Sequence, residues 1–369
     1  MFPNCPSLQD RTGHPEPLIK AVFIPILYLS LKTNTTQKMP RSYLTYSRDL
    51  GDFKFDLIEL SKAGLHGLRL IFKGKSTADY IQRVREILAF SREHKLNLHL
   101  LLDLPGEKAM IGNLGGSLQI EKDITYNLCR EYQPSGENDI PCINFLERVD
   151  PDKVFPGDII SIADGEVEMK IVSMSEDTIQ CIALNSFLLT SNRSFNIKGN
   201  KLPASPVSRQ DQQLLEELKQ LDIAGEIKIL VSFVSMASQV RDLKNSLPGF
   251  HLVAKIEQLI PEQELEDIIR ISDSLMLGRG DLISSTKMSA VFPFQKLVIE
   301  KCREQNKELI LATGIFASLK GSSNPSIADI MDFAFLRNQG VDSFLITGTN
   351  ANHYPFETLK LITNFEKMD

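Results

Sequence analysis

The 369-residue sequence contains no tryptophan, only five cysteines and little excess charge of either sign. The cysteines are scattered and form no C-x-x-C pair, which argues against a disulfide framework or a zinc site and favours a reducing, cytoplasmic setting. The formal net charge of −6 argues against nucleic-acid binding, because phosphate contacts along a nucleic acid need a basic surface. Small anionic ligands remain compatible with this composition, since a pocket can be locally positive.

Long apolar runs are also scarce. The stretch 18–31 is short for a membrane span and contains Pro25, so no membrane attachment is expected. The stretch follows acidic residues and precedes no small-residue cleavage site, which is atypical of a secretory signal. We predict that residues 1–39 form a disordered N-terminal extension.

From residue 40 onward, β-rich segments alternate with segments of helical period, which predicts βα units and a parallel sheet. The predicted strands cover residues 41–46, 67–71, 97–103, 228–233, 251–256, 274–277, 309–312 and 343–346. Eight such units in one domain predict an α/β fold of the (β/α)₈ TIM-barrel type. The active site of such a barrel lies at the carboxyl ends of the strands.

The alternation is interrupted between residues 114 and 206 by short β segments and by turn pairs such as Asp150-Pro151 and Asp164-Gly165. A stretch of this length with β character is too long to be a loop. We therefore predict a small inserted β-barrel domain over residues 114–206. The TIM-barrel domain then comprises residues 40–113 and 207–369.

Polar side chains fall where the predicted barrel strands end. They are Arg69, Asp103, Ser232, Lys255, Glu257, Asp281 and Thr313. Lys255 and Glu257 are two residues apart in an alternating strand, so their side chains point the same way. With Asp281 from the next strand, the carboxylates suit Mg²⁺ or Mn²⁺, and the lysine suits negative charge on a substrate.

A Lys-Ile-Glu segment alone is more often structural, so this prediction depends on the conjunction of residues. Gly278 and Gly280 strengthen it, because small residues let backbone N–H groups approach an anionic ligand. Thr313 adds a hydroxyl at the same mouth of the barrel.

The same residues carry a family resemblance. Lys255-Ile256-Glu257, Gly278-Arg279-Gly280-Asp281-Leu282 and Ala312-Thr313 resemble, in order and spacing, the core motifs of pyruvate kinases. The segment Leu102-Asp103-Leu104-Pro105-Gly106 resembles the third-strand motif of that family, and Pro156-Gly157-Asp158 resembles its mobile lid domain. The likeness extends over residues 40–367.

The resemblance implies Mg²⁺- or Mn²⁺-dependent phosphoryl transfer between phosphoenolpyruvate and ADP, giving pyruvate and ATP in glycolysis. It implies that Lys255 stabilises the transferring phosphoryl group and the enolate, and that Thr313 helps to relay a proton. Glu257 and Asp281 would be the metal ligands, and Arg69 would clamp a phosphate. The implied substrate-binding residues are Gly278, Gly280, Ser232, Asp103 and Lys108.

Several positions depart from the family pattern. Asn-Phe-Ser-His-Gly after the second strand is replaced by Ile-Phe-Lys-Gly-Lys at 71–75, which removes two potassium ligands and a histidine associated with nucleotide binding. Leu104 replaces another potassium ligand, and Met110 replaces an arginine that would hold a phosphate. Lys108 stands where potassium-independent members carry a lysine, and Lys73 is a second candidate for that role. We therefore expect no requirement for K⁺.

The chain ends just after the eighth predicted helix, so we expect no C-terminal regulatory domain and an unregulated enzyme. Three interpretations remain open: a divergent pyruvate kinase, a Mg²⁺-dependent barrel enzyme with lyase or biosynthetic chemistry on a pyruvate-like substrate, and a non-catalytic paralogue. Intact Glu257 and Asp281 weigh against the last, because adjacent carboxylates are costly unless a cation joins them. A homo-oligomer through the barrel faces also remains open.

Overall fold

The structure is a computed structural model that describes residues 39–46, 53–72, 76–129, 139–143, 153–163, 165–175, 178–199, 205–321, 324–347, 351 and 353–365. Apart from Met39, the predicted N-terminal extension lies outside the described residues, as do Lys73 and Asp164. Within the described ranges, the helices are too short or too polar to cross a membrane.

The strands and helices have the following bounds. The strands are β1 (Arg41–Thr45), β2 (Leu65–Ile71), β3 (His99–Leu104), β4 (Met110–Ile111), β5 (Ser117–Ile120), β6 (Thr125–Cys129), β7 (Asp139–Ile143), β8 (Ile159–Ile162), β9 (Val167–Met174), β10 (Thr178–Ala183), β11 (Phe187–Thr190), β12 (Phe195–Ile197), β13 (Ile227–Val231), β14 (His251–Ile256), β15 (Ser274–Gly278), β16 (Glu308–Ala312) and β17 (Ser343–Ile346). The helices are α1 (Phe53–Lys62), α2 (Thr77–Glu93), α3 (Arg209–Leu218), α4 (Ala237–Ser246), α5 (Glu262–Ile271), α6 (Arg279–Ser285), α7 (Met288–Glu304), α8 (Ile327–Asn338) and α9 (Pro355–Asn364).

Eight parallel strands close a barrel in the order β1-β17-β16-β15-β14-β13-β3-β2. This confirms the predicted (β/α)₈ fold. The strand limits differ from the predicted ones by a few residues. The strand predicted over 228–233 ends at Val231, because Phe233 has a left-handed φ of 54°, which a strand cannot accommodate.

An apolar layer fills the barrel interior. Alternate strand residues point into the barrel or out to the helices. On β3, Leu101 belongs to the interior layer, whereas Leu100 and Leu102 belong to the larger core beneath the helices. Because both faces are covered, such strands read as continuous apolar runs. The interior layer separates the carboxyl mouth of the barrel from the amino mouth.

Side-chain caps fix where two of the barrel helices begin. The Ser76 hydroxyl accepts a hydrogen bond from the Asp79 N–H (3.1 Å) at the start of α2. At α3, Ser208 and Asp211 bond reciprocally, with the Asp211 N–H donating to the Ser208 hydroxyl (3.1 Å) and the Ser208 N–H to the Asp211 carboxylate (2.8 Å). The second cap marks the start of α3, the first barrel helix after the inserted β segment.

The inserted β segment forms a seven-stranded sheet, β12-β8-β9-β10-β6-β7-β4, and a two-stranded sheet, β11-β5. A core of its own, which includes Leu128, Ile160, Met169 and Cys181, lies beneath these strands. The sheet begins at Met110, before the predicted boundary at 114, because β4 pairs with β7. A two-residue strand carries no periodicity that a sequence could reveal.

The segments that enter and leave the inserted sheet run side by side. The Glu107 N–H donates to the Ser205 carbonyl (2.9 Å), and the Ser205 N–H donates to the Glu107 carbonyl (3.0 Å). Gly106 has a φ of +64°, and a Cβ there would lie 2.5 Å from the Ser205 carbonyl oxygen. Glycine is therefore required at this crossing.

Candidate active site

Lys255 lies at the centre of a hydrogen-bond network at the carboxyl mouth of the barrel. The side chain leaves the end of β14 and is 7% exposed. The Nζ atom donates to the Ser232 hydroxyl (2.8 Å) and to Asp103 Oδ1 (3.2 Å), and it lies 3.1 Å from Glu257 Oε1. The Ser232 hydroxyl in turn donates to the Leu104 carbonyl (2.7 Å), so three strands fix the ammonium in place.

Asp103 is held between two cations. Arg69 Nε donates to Asp103 Oδ2 (2.6 Å), the guanidinium also forms an ion pair through Nη2, and Nη1 bonds to the Thr45 hydroxyl (3.3 Å). Burial acts to raise the pKa of the Asp103 carboxyl, but the positive charges of Arg69 and Lys255 prevail and lower it. Asp103 is therefore a fixed negative charge at the base of the site.

The pKa of Glu257 is shifted in the opposite direction to that of Asp103. Burial raises the pKa of its carboxyl, and the nearby negative charge of Asp281 adds to this, although Lys255 opposes it. The Phe233 N–H donates to Glu257 Oε2 (2.9 Å), and Phe233 itself has the left-handed φ of 54°. A Cβ on Gly278 would lie 2.8 Å from Glu257 Cγ, so this glycine makes room for the carboxylate side chain itself.

Asp281 lies in the first turn of α6 and is paired with Lys108. The Lys108 Nζ is 2.9 Å from Asp281 Oδ1 and 5.0 Å from the centroid of the Phe233 ring. Burial acts to raise the pKa of Asp281, but the adjacent ammonium of Lys108 outweighs this effect and lowers it. Lys108 thus contacts a predicted metal ligand, whereas the cations described around Asp103 are Arg69 and Lys255.

Both predicted metal ligands line one small cavity. Its volume is about 20 Å³, room for about one water molecule. The inserted sheet contributes part of the wall, and the Gly199 N–H donates to the Ser285 carbonyl of α6 (2.9 Å). The lining residues are Lys108, Ala109, Ser194, Phe195, Asn196, Phe233, Glu257, Gln258, Asp281 and Ser284. The cavity is much smaller than the roughly 300–1,000 Å³ that pockets for small-molecule ligands measure.

A larger cavity of about 370 Å³ lies between α3 and α4. Its lining includes Gln212, Leu215, Gln239 and Asp242 but none of the strand-end residues. We place the candidate active site at the smaller cavity, because the ionisable groups with shifted pKa values converge there.

Thr313 is held at the rim of the site by Arg279. The Arg279 Nε donates to the Thr313 carbonyl (2.8 Å), and Nη1 bonds to both Asp332 oxygens (2.9 and 3.2 Å). Thr313 has a φ of +71° and Gly314 one of +79°, and a Cβ on Gly314 would lie 3.2 Å from Arg279 Nη2. The arginine therefore supports a backbone conformation that threonine rarely adopts.

The sequence-predicted residues form two bonded groups, which meet where Glu257 and Asp281 line the same cavity. Asp103, Ser232, Lys255 and Glu257 share one network, which Arg69 extends. Asp281, Gly280 and Thr313 belong to or contact the segment 279–285, and Lys108 reaches it from the start of the inserted sheet. Sequence reasoning missed Arg279 and Phe233. Arg279 lies within the motif that also contains Gly280 and Asp281, whereas no sequence signal marks the unusual backbone of Phe233.

The donor set fits a divalent cation. Glu257 and Asp281 present carboxylates, the oxygen ligands that Mg²⁺ prefers, to one cavity. Among the described residues there is no group of three or more acidic, histidine or cysteine side chains placed to hold a metal. A cation bound by these two carboxylates would therefore take its remaining ligands from water or substrate, as Mg²⁺ commonly does.

Residues 51–359 match the family model described as pyruvate kinase, barrel domain. The chain belongs to the pyruvate kinase family. The resemblance predicted from the motifs is therefore confirmed, and the closed barrel with Lys255 at its carboxyl mouth is the pyruvate kinase barrel domain.

Known pyruvate kinases resemble this chain over most of its length. A pyruvate kinase of Agrobacterium vitis is 32% identical over 313 residues, which cover 83% of this chain and 63% of that protein. One from Leishmania mexicana is 27% identical over 313 residues, 82% of this chain and 61% of that protein. A crystal structure of Cryptosporidium parvum pyruvate kinase aligns with a TM-score of 0.75 at 23% identity, over 89% of this chain and 70% of that chain, and it shows the shared fold. The chain spans about three-fifths of the length of these two curated relatives.

Proposed function

We propose that the chain catalyses phosphoryl transfer between phosphoenolpyruvate and ADP, giving pyruvate and ATP in glycolysis. The observation that carries this proposal is the buried Lys255, fixed between Asp103, Ser232 and Glu257 beside the cavity that Glu257 and Asp281 share. In the reaction, an oxygen of ADP attacks phosphorus, the bond to the enol oxygen breaks, and the resulting enolate takes a proton at carbon.

Lys255 is proposed to stabilise the negative charge that moves from the phosphoryl oxygens to the enolate oxygen. A fixed ammonium in a water-poor site does this more effectively than one in bulk water. Asp103 and Ser232 orient the ammonium, and Arg69 holds Asp103 in turn. The remaining exposed part of the Arg69 guanidinium is proposed to contact a substrate phosphate.

Glu257 and Asp281 would hold Mg²⁺ or Mn²⁺, which neutralises substrate oxygens when bound. The half-buried Thr313 is proposed to support proton delivery to the enolate carbon. Gly280, in the first turn of α6, is proposed to leave space for the substrate carboxylate. The cysteines described, Cys129, Cys181 and Cys302, are free thiols, which supports a cytoplasmic setting.

A coupled assay for pyruvate formation from phosphoenolpyruvate and ADP tests the proposal. Pyruvate formation that needs both ADP and Mg²⁺ would support it. The absence of turnover at any Mg²⁺ or Mn²⁺ concentration, in a folded preparation, would contradict it.

We predict that this activity does not require K⁺. The side chains of Ile71 and Leu104 supply no oxygen ligand, and Asp103 is already bonded to Arg69 and Lys255. A K⁺ ion 4 Å from a lysine ammonium would meet a repulsion of about 4 kcal/mol at an effective dielectric of 20. Rates should therefore agree in sodium, potassium and tetramethylammonium buffers of equal ionic strength. A rate that rises many-fold and saturably with K⁺ alone would contradict this expectation. Lys73, the second candidate for the internal cation, lies outside the described residues.

A second candidate function is enolate chemistry on a pyruvate-like keto acid without phosphoryl transfer. The observation that favours it is Met110, half-buried in β4, where a phosphate-binding arginine is expected. An enzyme of this kind would exchange the methyl hydrogens of pyruvate with solvent deuterium in the presence of Mg²⁺ and without nucleotide. Such exchange without any formation of ATP from phosphoenolpyruvate would favour the second function over the first.

A further inference from the structure

Lys108 is bonded to Asp281, the carboxylate that the proposed cation would need as a ligand. Its Nζ lies 2.9 Å from Asp281 Oδ1, within hydrogen-bond distance, and the two side chains are 27% and 26% exposed. The ring of Phe233 lies 5.0 Å from the same ammonium and provides a second favourable contact. Lys108 therefore has the position of a counter-ion for Asp281, and solvent ions can reach the pair.

The ionised groups that pair with one another around Lys255 and Asp281 balance in charge without a metal. The cations are Arg69, Lys108 and Lys255, and the carboxylates are Asp103, Glu257 and Asp281. A divalent cation adds two positive charges, so its binding is favoured when a resident cation withdraws. Lys108 is the most exposed of the three, at 27% against 16% for Arg69 and 7% for Lys255. It is also a compact charge on a flexible stem, which can move without disturbing the network around Lys255.

We infer that Lys108 is an internal counter-ion that occupies Asp281 until a divalent cation binds and that leaves Asp281 as the cation enters. This inference rests on the cation site proposed above. Lys108 lies two residues before β4 and next to Glu107, whose backbone pairs with Ser205 at the crossing into the inserted sheet. Cation binding is thereby coupled to the segment that leads from the barrel into the inserted sheet.

Mn²⁺ binding in the absence of any substrate tests the inference, with free Mn²⁺ measured by electron paramagnetic resonance. Lys108→Met should lower the Kd for Mn²⁺ by about tenfold, because a like charge beside the ion is removed. The matched control is Lys244→Met. Lys244 forms a similar pair with Asp273 (2.6 Å, 34% and 31% exposed), so this variant loses the same charge elsewhere, and its Kd should change by less than about twofold.

Lys108→Gln, which keeps a polar side chain, is measured beside Lys108→Met in case the latter folds poorly. A Kd that is unchanged in both variants, or that falls equally in Lys244→Met, would overturn the inference and leave the cation site standing. If wild type binds no Mn²⁺, or if Asp281→Asn binds it as well as wild type does, the cation site itself is wrong and the inference falls with it.

Hydrogen–deuterium exchange of the segment 106–112 tests the coupling separately. Mn²⁺ should speed up exchange in wild type, because the Lys108–Asp281 bond that restrains the segment is released. In Lys108→Met the segment should exchange fast with and without Mn²⁺. Exchange that does not respond to Mn²⁺ in wild type would overturn the coupling.

Discussion

Each mouth of the barrel contains a buried lysine bonded to a carboxylate, and the two arrangements differ in how fully the carboxylate is satisfied. At the amino mouth, Lys228 Nζ lies 2.8 Å from Glu308 Oε2. Glu308 Oε1 accepts hydrogen bonds from Tyr43 (3.1 Å), Ser343 (2.8 Å) and Arg41 (3.0 Å). At the carboxyl mouth, Lys255 is shared between Asp103 and Glu257.

The pKa values follow from this difference. Burial opposes ionisation of Glu308, but Lys228 and the donors around it prevail and lower its pKa to about 2. Burial and the charge of Asp281 raise the pKa of Glu257 above its usual value, against the effect of Lys255. A buried carboxylate with enough donors and positive charge around it stabilises the fold, whereas one with too little positive charge around it is available to a ligand.

Residues with a positive φ lie at both mouths, and at the amino mouth they include Lys95 and Asn306, which precede β3 and β16. Phe233 and Thr313 follow the carboxyl ends of β13 and β16, and both have a positive φ. Such conformations cost free energy and persist where the surrounding contacts enforce them. The comparison teaches that the same pair of residue types, a buried lysine beside a carboxylate, leaves the carboxylate fully compensated at one mouth and incompletely compensated at the other.

The largest expected difference between the two mouths is in turnover and stability when Lys255 or Lys228 is replaced by methionine. Lys255→Met should lower turnover by about 10³-fold, because a fixed charge that stabilises the transition state is lost. It should not abolish Mn²⁺ binding, because Glu257 and Asp281 are both retained. Lys228→Met should leave turnover per folded molecule nearly unchanged and lower the free energy of unfolding by about 3 kcal/mol, since Glu308 would lose its buried cation and keep only the more exposed Arg41.

Two measurements check this contrast, namely the coupled pyruvate assay and urea unfolding of both variants. Unchanged turnover in Lys255→Met would move the catalysis away from this lysine. A loss of turnover in stably folded Lys228→Met would show that the amino mouth also takes part in the reaction.

The charge on Glu308 should contribute a pH-dependent part of the free energy of unfolding, and its effect should be smaller than that of the two lysine exchanges together. A pKa lowered from 4.5 to about 2 corresponds to roughly 3 kcal/mol of stability. Because the pKa is lower in the folded protein, this stability is fully present above pH 4.5 and is lost as the pH falls towards 2. Glu308→Gln should therefore be less stable than wild type at neutral pH, and the difference should shrink on acidification. Urea unfolding of both proteins across this range measures it, and a difference independent of pH would contradict the assignment.

The barrel could be predicted from the sequence because its strands are buried on both faces and read as apolar runs separated by helical segments. Lys255 and Glu257 were predicted to point the same way, because two-residue spacing in a strand fixes this. The contact between Lys108 and Asp281 could not be predicted, since 173 residues separate them and the inserted sheet lies between them in the chain. The pairing of Lys228 with Glu308 was not predicted, because the two residues are 80 positions apart and lie at the amino ends of β13 and β16, away from the ends at which barrel active sites lie.

The smallest expected effect concerns His251, at the amino end of β14. Its ring Nε2 lies 2.8 Å from the Ser274 hydroxyl, and burial and the positive charge of Lys228 lower its pKa, whereas the negative charges of Asp273 and Glu308 act to raise it. A histidine whose pKa is lower in the folded protein binds fewer protons there than in the unfolded chain. Stability should therefore rise with pH through the region below 6.5 and fall as the pH drops through it. His251→Gln should reduce this slope in urea unfolding between about pH 5.5 and 7.5, where an unperturbed histidine titrates. An equal slope in wild type and His251→Gln would show that the amino mouth does not respond to protonation of this ring.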